Sequence, residues 1–172
     1  MSILTLNPIT YDSLSFTNIN ITEADVGSTA SFTTWPGLAI GVGTPFGTAL
    51  AWGGVNAGVY GANSSEVLNF DYTVSSTSAS ALIDTISQLY TADTFSGPGV
   101  SLTAVENIYS TSGTLLGTDT YTMGATNLPT ITLSTPEQTV NVQITLTMAI
   151  GSTGTSASSV VISAFQDRKS VV

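Results

Sequence analysis

The 172-residue chain has no cysteine, no histidine and only two basic residues, Arg168 and Lys169, both among its last five positions. Each absence removes a class of chemistry. Without histidine there is no Ser-His-Asp relay, and without cysteine no thiolate nucleophile. A Ser-Lys dyad would have to draw on Lys169. Zinc sites of the Cys/His kind cannot form. From residue 1 to residue 167 no side chain is cationic at neutral pH. Nucleic-acid affinity depends chiefly on neutralising phosphates with Lys or Arg, and that contribution is missing here. An anionic membrane surface repels a net charge of −9 for the same reason. Disulfides cannot form either, but a chain of this length buries roughly 70 % of its unfolded surface and folds without them.

Charge of either sign is scarce, at 8 % of residues, against about 25 % in an average soluble protein. Disordered chains pair low hydrophobicity with high net charge; here 42 % of residues are hydrophobic and mean hydropathy is +0.34. The polar remainder, mostly Ser, Thr, Asn and Gly, suits strands with hydroxyl-bearing outer faces joined by small turn residues. The first ten residues lack the basic and apolar regions of a signal peptide. Residues 38–62 are uncharged, but Pro45, Asn56 and repeated glycines interrupt them. They read as two buried strands with glycine bends rather than as a membrane span, which wants about 20 mostly apolar residues.

Period-two alternation dominates what is present. Val140, Val142, Ile144, Leu146, Met148 and Ile150 share one phase, with Asn141, Gln143, Thr145 and Thr147 on the other; a helix would scatter the six apolar residues around its circumference. Leu68, Phe70, Tyr72 and Val74 alternate with Asn69, Asp71 and Thr73 in the same way. Residues 159–166 form a third strand. Residues 100–109 and 115–123 flank Ser110-Thr111-Ser112-Gly113, which is hairpin-turn chemistry. Residues 14–22 and 128–133 are shorter strands. Residues 81–90 fit both periods, since Leu82, Ile86 and Leu89 have helical spacing. The predicted fold is all-β: a two-sheet antiparallel β-sandwich, jelly-roll-like, with eight or more strands.

The second half carries an ordered set of segments. Val67-Leu68-Asn69-Phe70-Asp71-Tyr72-Thr73-Val74 is followed by Leu82-Ile83-Asp84, then by Gly113-Thr114-Leu115-Leu116-Gly117-Thr118. The strand from Val140 to Met148 comes next, and Ser156-Ala157-Ser158 leads to Phe165-Gln166. This order resembles the PEP-CTERM sorting-domain proteins of bacteria that make exopolysaccharide. The resemblance covers residues 66–172, with two departures. Ser170-Val171-Val172 is not followed by the sorting tail, and the family's usual lysine in the penultimate strand is replaced by Met148-Ala149. It implies that residues 81–90 are strand, that residues 1–166 are one domain and 167–172 a tail leading to an anchor, and that the protein is exported to the cell surface or matrix. The family shares no catalytic residues, so the resemblance assigns none.

Several residues are candidates for chemistry. Two carboxylates suffice for glycoside hydrolysis, and Asp71, Asp84, Glu106 and Asp119 lie on or near strands. Read by position they are outward-facing, solvated charges. Glu23 and Asp25, beside Ser28, offer two carboxylates in an expected loop; calcium, which asks only for oxygen ligands, is the metal such a site would take. Trp35, Trp52 and Tyr60 lie in the glycine-rich region, where aromatic faces either stack on sugar rings or fill core. The functional expectation is non-catalytic: a structural or adhesive surface or matrix protein, self-associating through strand edges that lack lysine guards. The alternative is a carbohydrate-binding module for matrix exopolysaccharide, with or without calcium.

Overall fold

The computed structural model describes residues 2–5, 8–11, 13–26, 31–33, 39–44, 47–90, 93–125 and 130–171. Among them there is no helix. The strands are β1 Ser2–Thr5, β2 Ile9–Tyr11, β3 Leu14–Val26, β4 Ser31–Thr33, β5 Ala39–Thr44, β6 Gly47–Tyr60, β7 Ser64–Ser76, β8 Ile83–Tyr90, β9 Asp93–Ser96, β10 Val100–Ser110, β11 Leu115–Thr122, β12 Thr130–Glu137, β13 Thr139–Ile150 and β14 Ser159–Val171. Every pairing between them is antiparallel.

They form two seven-stranded sheets. The first runs β1-β3-β7-β13-β10-β11, with β2 on β3; the second runs β12-β8-β14-β6-β4, with β5 on β6 and β9 on β14. The period-two phases become faces. Along β7 and β13 the even-numbered residues are buried, and their odd-numbered neighbours face outward. Phe16, Ile21, Phe70, Ile144 and Leu146 from the first sheet join Val59, Ile86, Ile131 and Val160 from the second in one apolar cluster. Removing that surface from water is what chiefly favours the fold.

The expected hairpin is β10–β11. The Ser110 N–H donates to the Thr114 carbonyl at 2.8 Å, and Gly113 takes φ 85°, a region glycine enters without a Cβ penalty. Of residues 81–90, the segment from Ile83 to Tyr90 is strand. The helical look of their spacing has a physical cause. Opposite β14, Ser170 pairs with Thr85 and Val171 with Ile83, so the register skips Asp84. An irregularity of this kind shifts the alternation, which puts Ile83 and Ile86, three apart, both in the core.

The C-terminal segment corrects the sequence reading. Residues 167–171 are not a tail: β14 continues through Val171, pairing with β6 on one side and β8 on the other. Lys169 is buried at 1 % exposure.

Candidate functional site

The outer face of the first sheet is built from the polar phases of β3, β7, β13 and β10. A bulge in β3 between Thr17 and Asn20 turns Asn18 into the left-handed region, φ 53°, which Asn tolerates better than most residues. Its amide then donates to the Thr73 hydroxyl at 3.2 Å. That hydroxyl donates to Asn141 Oδ1 at 2.8 Å, and Asn141 Nδ2 to the Ser110 carbonyl at 3.4 Å. Four strands are thereby tied by side chains as well as by backbone. A second ladder runs from the Thr145 hydroxyl to Asn69 Oδ1 at 2.9 Å and from Asn69 Nδ2 to Thr22 at 3.4 Å.

Beside the first ladder lies an open groove of about 500 Å³, within the range of small-ligand sites. Asn18, Asp71, Thr73, Tyr109, Asn141 and Gln143 line it. Asp71 and Gln143 are cross-strand partners, and neither side chain hydrogen-bonds to another described residue. Burial raises the Asp71 carboxyl above its ordinary value. The groove thus offers a carboxyl, two-way amide groups and the flank of a tyrosine ring, on a surface fixed by its own hydrogen bonds. Such groups donate to and accept from hydroxyls.

A second cluster lies inside. Glu106 and Asp119 face one another across β10 and β11. From the other sheet Lys169 Nζ comes to 3.5 Å from Glu106 Oε1, both side chains at 0 % exposure, and 5.5 Å from the centre of the Tyr72 ring. Glu106 is therefore not the solvated, outward charge expected from its position; it shares the inward phase of Leu102, Ala104 and Ile108. Burial pushes the Asp119 carboxyl up to about 7, with Glu106 adding repulsion and Lys169 partly offsetting it. The consequence for stability has a definite sign. The folded chain holds the Asp119 proton after the unfolded chain has released it, so this contribution is complete below 3.8 and is lost as pH rises towards about 7. Thermal midpoints should fall across that interval, and Asp119→Asn should flatten the fall; scanning calorimetry of both proteins at about pH 4 to 8 checks this.

The other sequence candidates that lie among the described residues fall on β3, β6 and β8. Glu23 and Asp25 lie in strand β3, not in a loop, opposite Leu68 and Glu66. Pairing with β7 that continues as far as Val26 carries the strand past them, and Ser28 lies outside the described residues. Among the described residues no three His, Cys, Asp or Glu side chains converge on a metal position. Trp35 lies outside the described residues; Trp52 is in β6 opposite Phe165. Tyr60 ends β6 with 42 % of its surface exposed and does not line the groove. Asp84 belongs to β8 in the second sheet. Of the four carboxylates considered for hydrolysis, only Asp71 lines the groove, whereas that reaction needs two flanking one bond. Tyr109, Asn141 and Gln143 do not stand out in the sequence as site residues. Their shared outward phase is the available signal.

No protein-family model and no curated protein matches the chain. Among solved structures it is similar to the enzymatically active domain of bacteriophage CBA120 tailspike protein 4 (TM-score 0.41, 11 % identity, 88 % of this chain and 19 % of that one). It is also similar to TmCBM61, solved in complex with β-1,4-galactotriose (0.36, 8 %, 72 % and 81 %). A third is the CBM32 of AlyQ, solved with 4,5-unsaturated mannuronic acid (0.25, 12 %, 65 % and 76 %). The chain spans about a fifth of the tailspike domain. Likeness at this level leaves the functional reading to the chain's own residues.

Proposed function

We propose that this chain is a non-catalytic binding domain for neutral polysaccharide, folded as a jelly-roll-like sandwich and acting at a bacterial cell surface or in its exopolysaccharide matrix. The observation that carries the reading is the groove on the first sheet, where Asp71, Gln143 and Tyr109 stand together on a ladder-braced surface. A sugar ring brings adjacent hydroxyls that can bridge a carboxyl and an amide, and an apolar face that can lie against a tyrosine ring. Its neutrality follows from charge. The groove's lining contains a carboxyl and no cation, so a uronate or sulfate group would enter against like charge. The resemblance to exported proteins of exopolysaccharide producers agrees with the location. The structural or adhesive role expected from composition is then exercised by retaining polysaccharide rather than by assembling copies of the chain.

Affinity electrophoresis in gels cast with neutral glucan, galactan or mannan, and with a polyuronate, tests the proposal. At least one neutral polymer should retard the protein and the polyuronate should not. Tyr109→Ala and Asp71→Ala should each weaken retardation by roughly tenfold, about 1.4 kcal/mol. Migration unaffected by every neutral polymer would overturn the reading.

A further inference from the structure

The interior cluster joins three groups that seldom meet in an apolar core: an amine, a carboxylate and a carboxyl group held near neutrality. Burying an ion pair costs desolvation that the mutual attraction repays only with good geometry. Here the geometry is loose. The 3.5 Å between Lys169 Nζ and Glu106 Oε1 exceeds the roughly 2.7–2.9 Å of a charge-assisted hydrogen bond, yet it keeps the amine in contact with the carboxyl group whose carbon it would attack. Glu106 Oε2 accepts no hydrogen bond among the described residues. The fold has placed a nucleophile and an acyl group in contact, shielded from water.

We propose that Lys169 and Glu106 condense spontaneously into an isopeptide bond that ties β14 to β10, and so one sheet to the other. Nζ, having passed one proton to the Glu106 carboxylate, attacks Cδ. Asp119, directly across the strand pair from Glu106, hands its proton to the departing hydroxyl and takes one back from the nitrogen. The bond formed is Nζ–Cδ, the bond broken is Cδ–O, and the only other product is one water. Asp119 is suited to this shuttle because its carboxyl is raised to about 7 and exchanges its proton near neutrality. The effective molarity of groups held in contact, up to about 10⁵–10⁸ M, opposes the hydrolysis that bulk water would favour. The amide replaces two buried charges with a neutral group. In a chain without cysteine it would supply a covalent clasp that disulfides cannot.

Intact mass spectrometry of the purified 172-residue protein tests this without any variant: the mass should lie one water below that of the sequence. Position is read by trypsin after denaturation, because Arg168 and Lys169 are the only cleavage sites. An unlinked chain releases the tripeptide Ser170-Val171-Val172. A linked chain is cut only after Arg168 and keeps residues 169–172 attached through Glu106. Lys169→Met should restore the full mass, and Asp119→Asn should leave a substantial unreacted fraction after refolding. Wild-type protein at full mass after prolonged incubation overturns the proposal, as does a linkage mapped to any carboxyl other than Glu106.

Discussion

Lys169→Ala is expected to destabilise the protein by about 3–5 kcal/mol, the cost of stranding one partner of a buried ion pair. Glu106 would remain at 0 % exposure in the same core with its cation removed. The effect should appear as a lower urea midpoint. The paired variant, Glu106→Leu with Lys169→Met, separates two contributions. Replacing a buried ion pair with apolar groups of similar volume is often neutral or stabilising, so if attraction alone joins the residues, the midpoint should return close to wild type. A covalent bond changes that expectation. Residues 106 and 169 are 63 apart, and closing a loop of that length removes unfolded-state entropy worth about 4 kcal/mol in the chain-entropy account. Apolar replacement cannot restore it. The double variant should then stay below wild type by about that amount, a gap wide enough to distinguish the two states by equilibrium unfolding.

The strands that the sequence reveals most clearly are those in which one phase is wholly apolar. In β13 six apolar side chains share the buried phase, and no polar residue intrudes. β8 is ambiguous in sequence because the skip at Asp84 gives Ile83 and Ile86 the spacing of a helix turn, and only pairing with β14 shows the chain to be extended. Lys169 is illegible for a related reason. The register of β14 against β6 shifts between Ile162 and Ala164, so counting phases from Val160 does not reach position 169 correctly. A basic pair near the end of the sequence then reads as tail. A clue does exist in Glu106, whose phase is that of Leu102, Ala104 and Ile108. An inward carboxylate calls for a partner, and the chain has just two cations to supply one. The groove is half legible: alternation places Asp71, Thr73, Asn141 and Gln143 outward. Register between strands, which sequence periodicity does not carry, brings Asn18 and Tyr109 beside them.

Adjacent residues on β7 should answer to different measurements. Phe70 is 1 % exposed, between Ile21 and Ile144 on the flanking strands. Phe70→Ala should cost about 3–5 kcal/mol, the transfer free energy of the ring plus the cavity left among neighbours that relax only in part. Asp71, one position along, points to the groove. Asp71→Asn conserves volume and removes a carboxyl that burial already penalises, so stability should move by no more than about 0.5 kcal/mol. Binding should respond in the opposite order. Phe70→Ala protein that remains folded in the cold should keep its affinity for neutral polysaccharide, because no groove residue has changed. Asp71→Asn should lose the charge-assisted part of its acceptor and weaken binding by up to roughly tenfold, about 1.4 kcal/mol. Urea midpoints and affinity electrophoresis on the two variants suffice. Equal losses of stability at both positions would mean that β7 does not divide core from ligand surface, and the groove would lose its claim as the binding face.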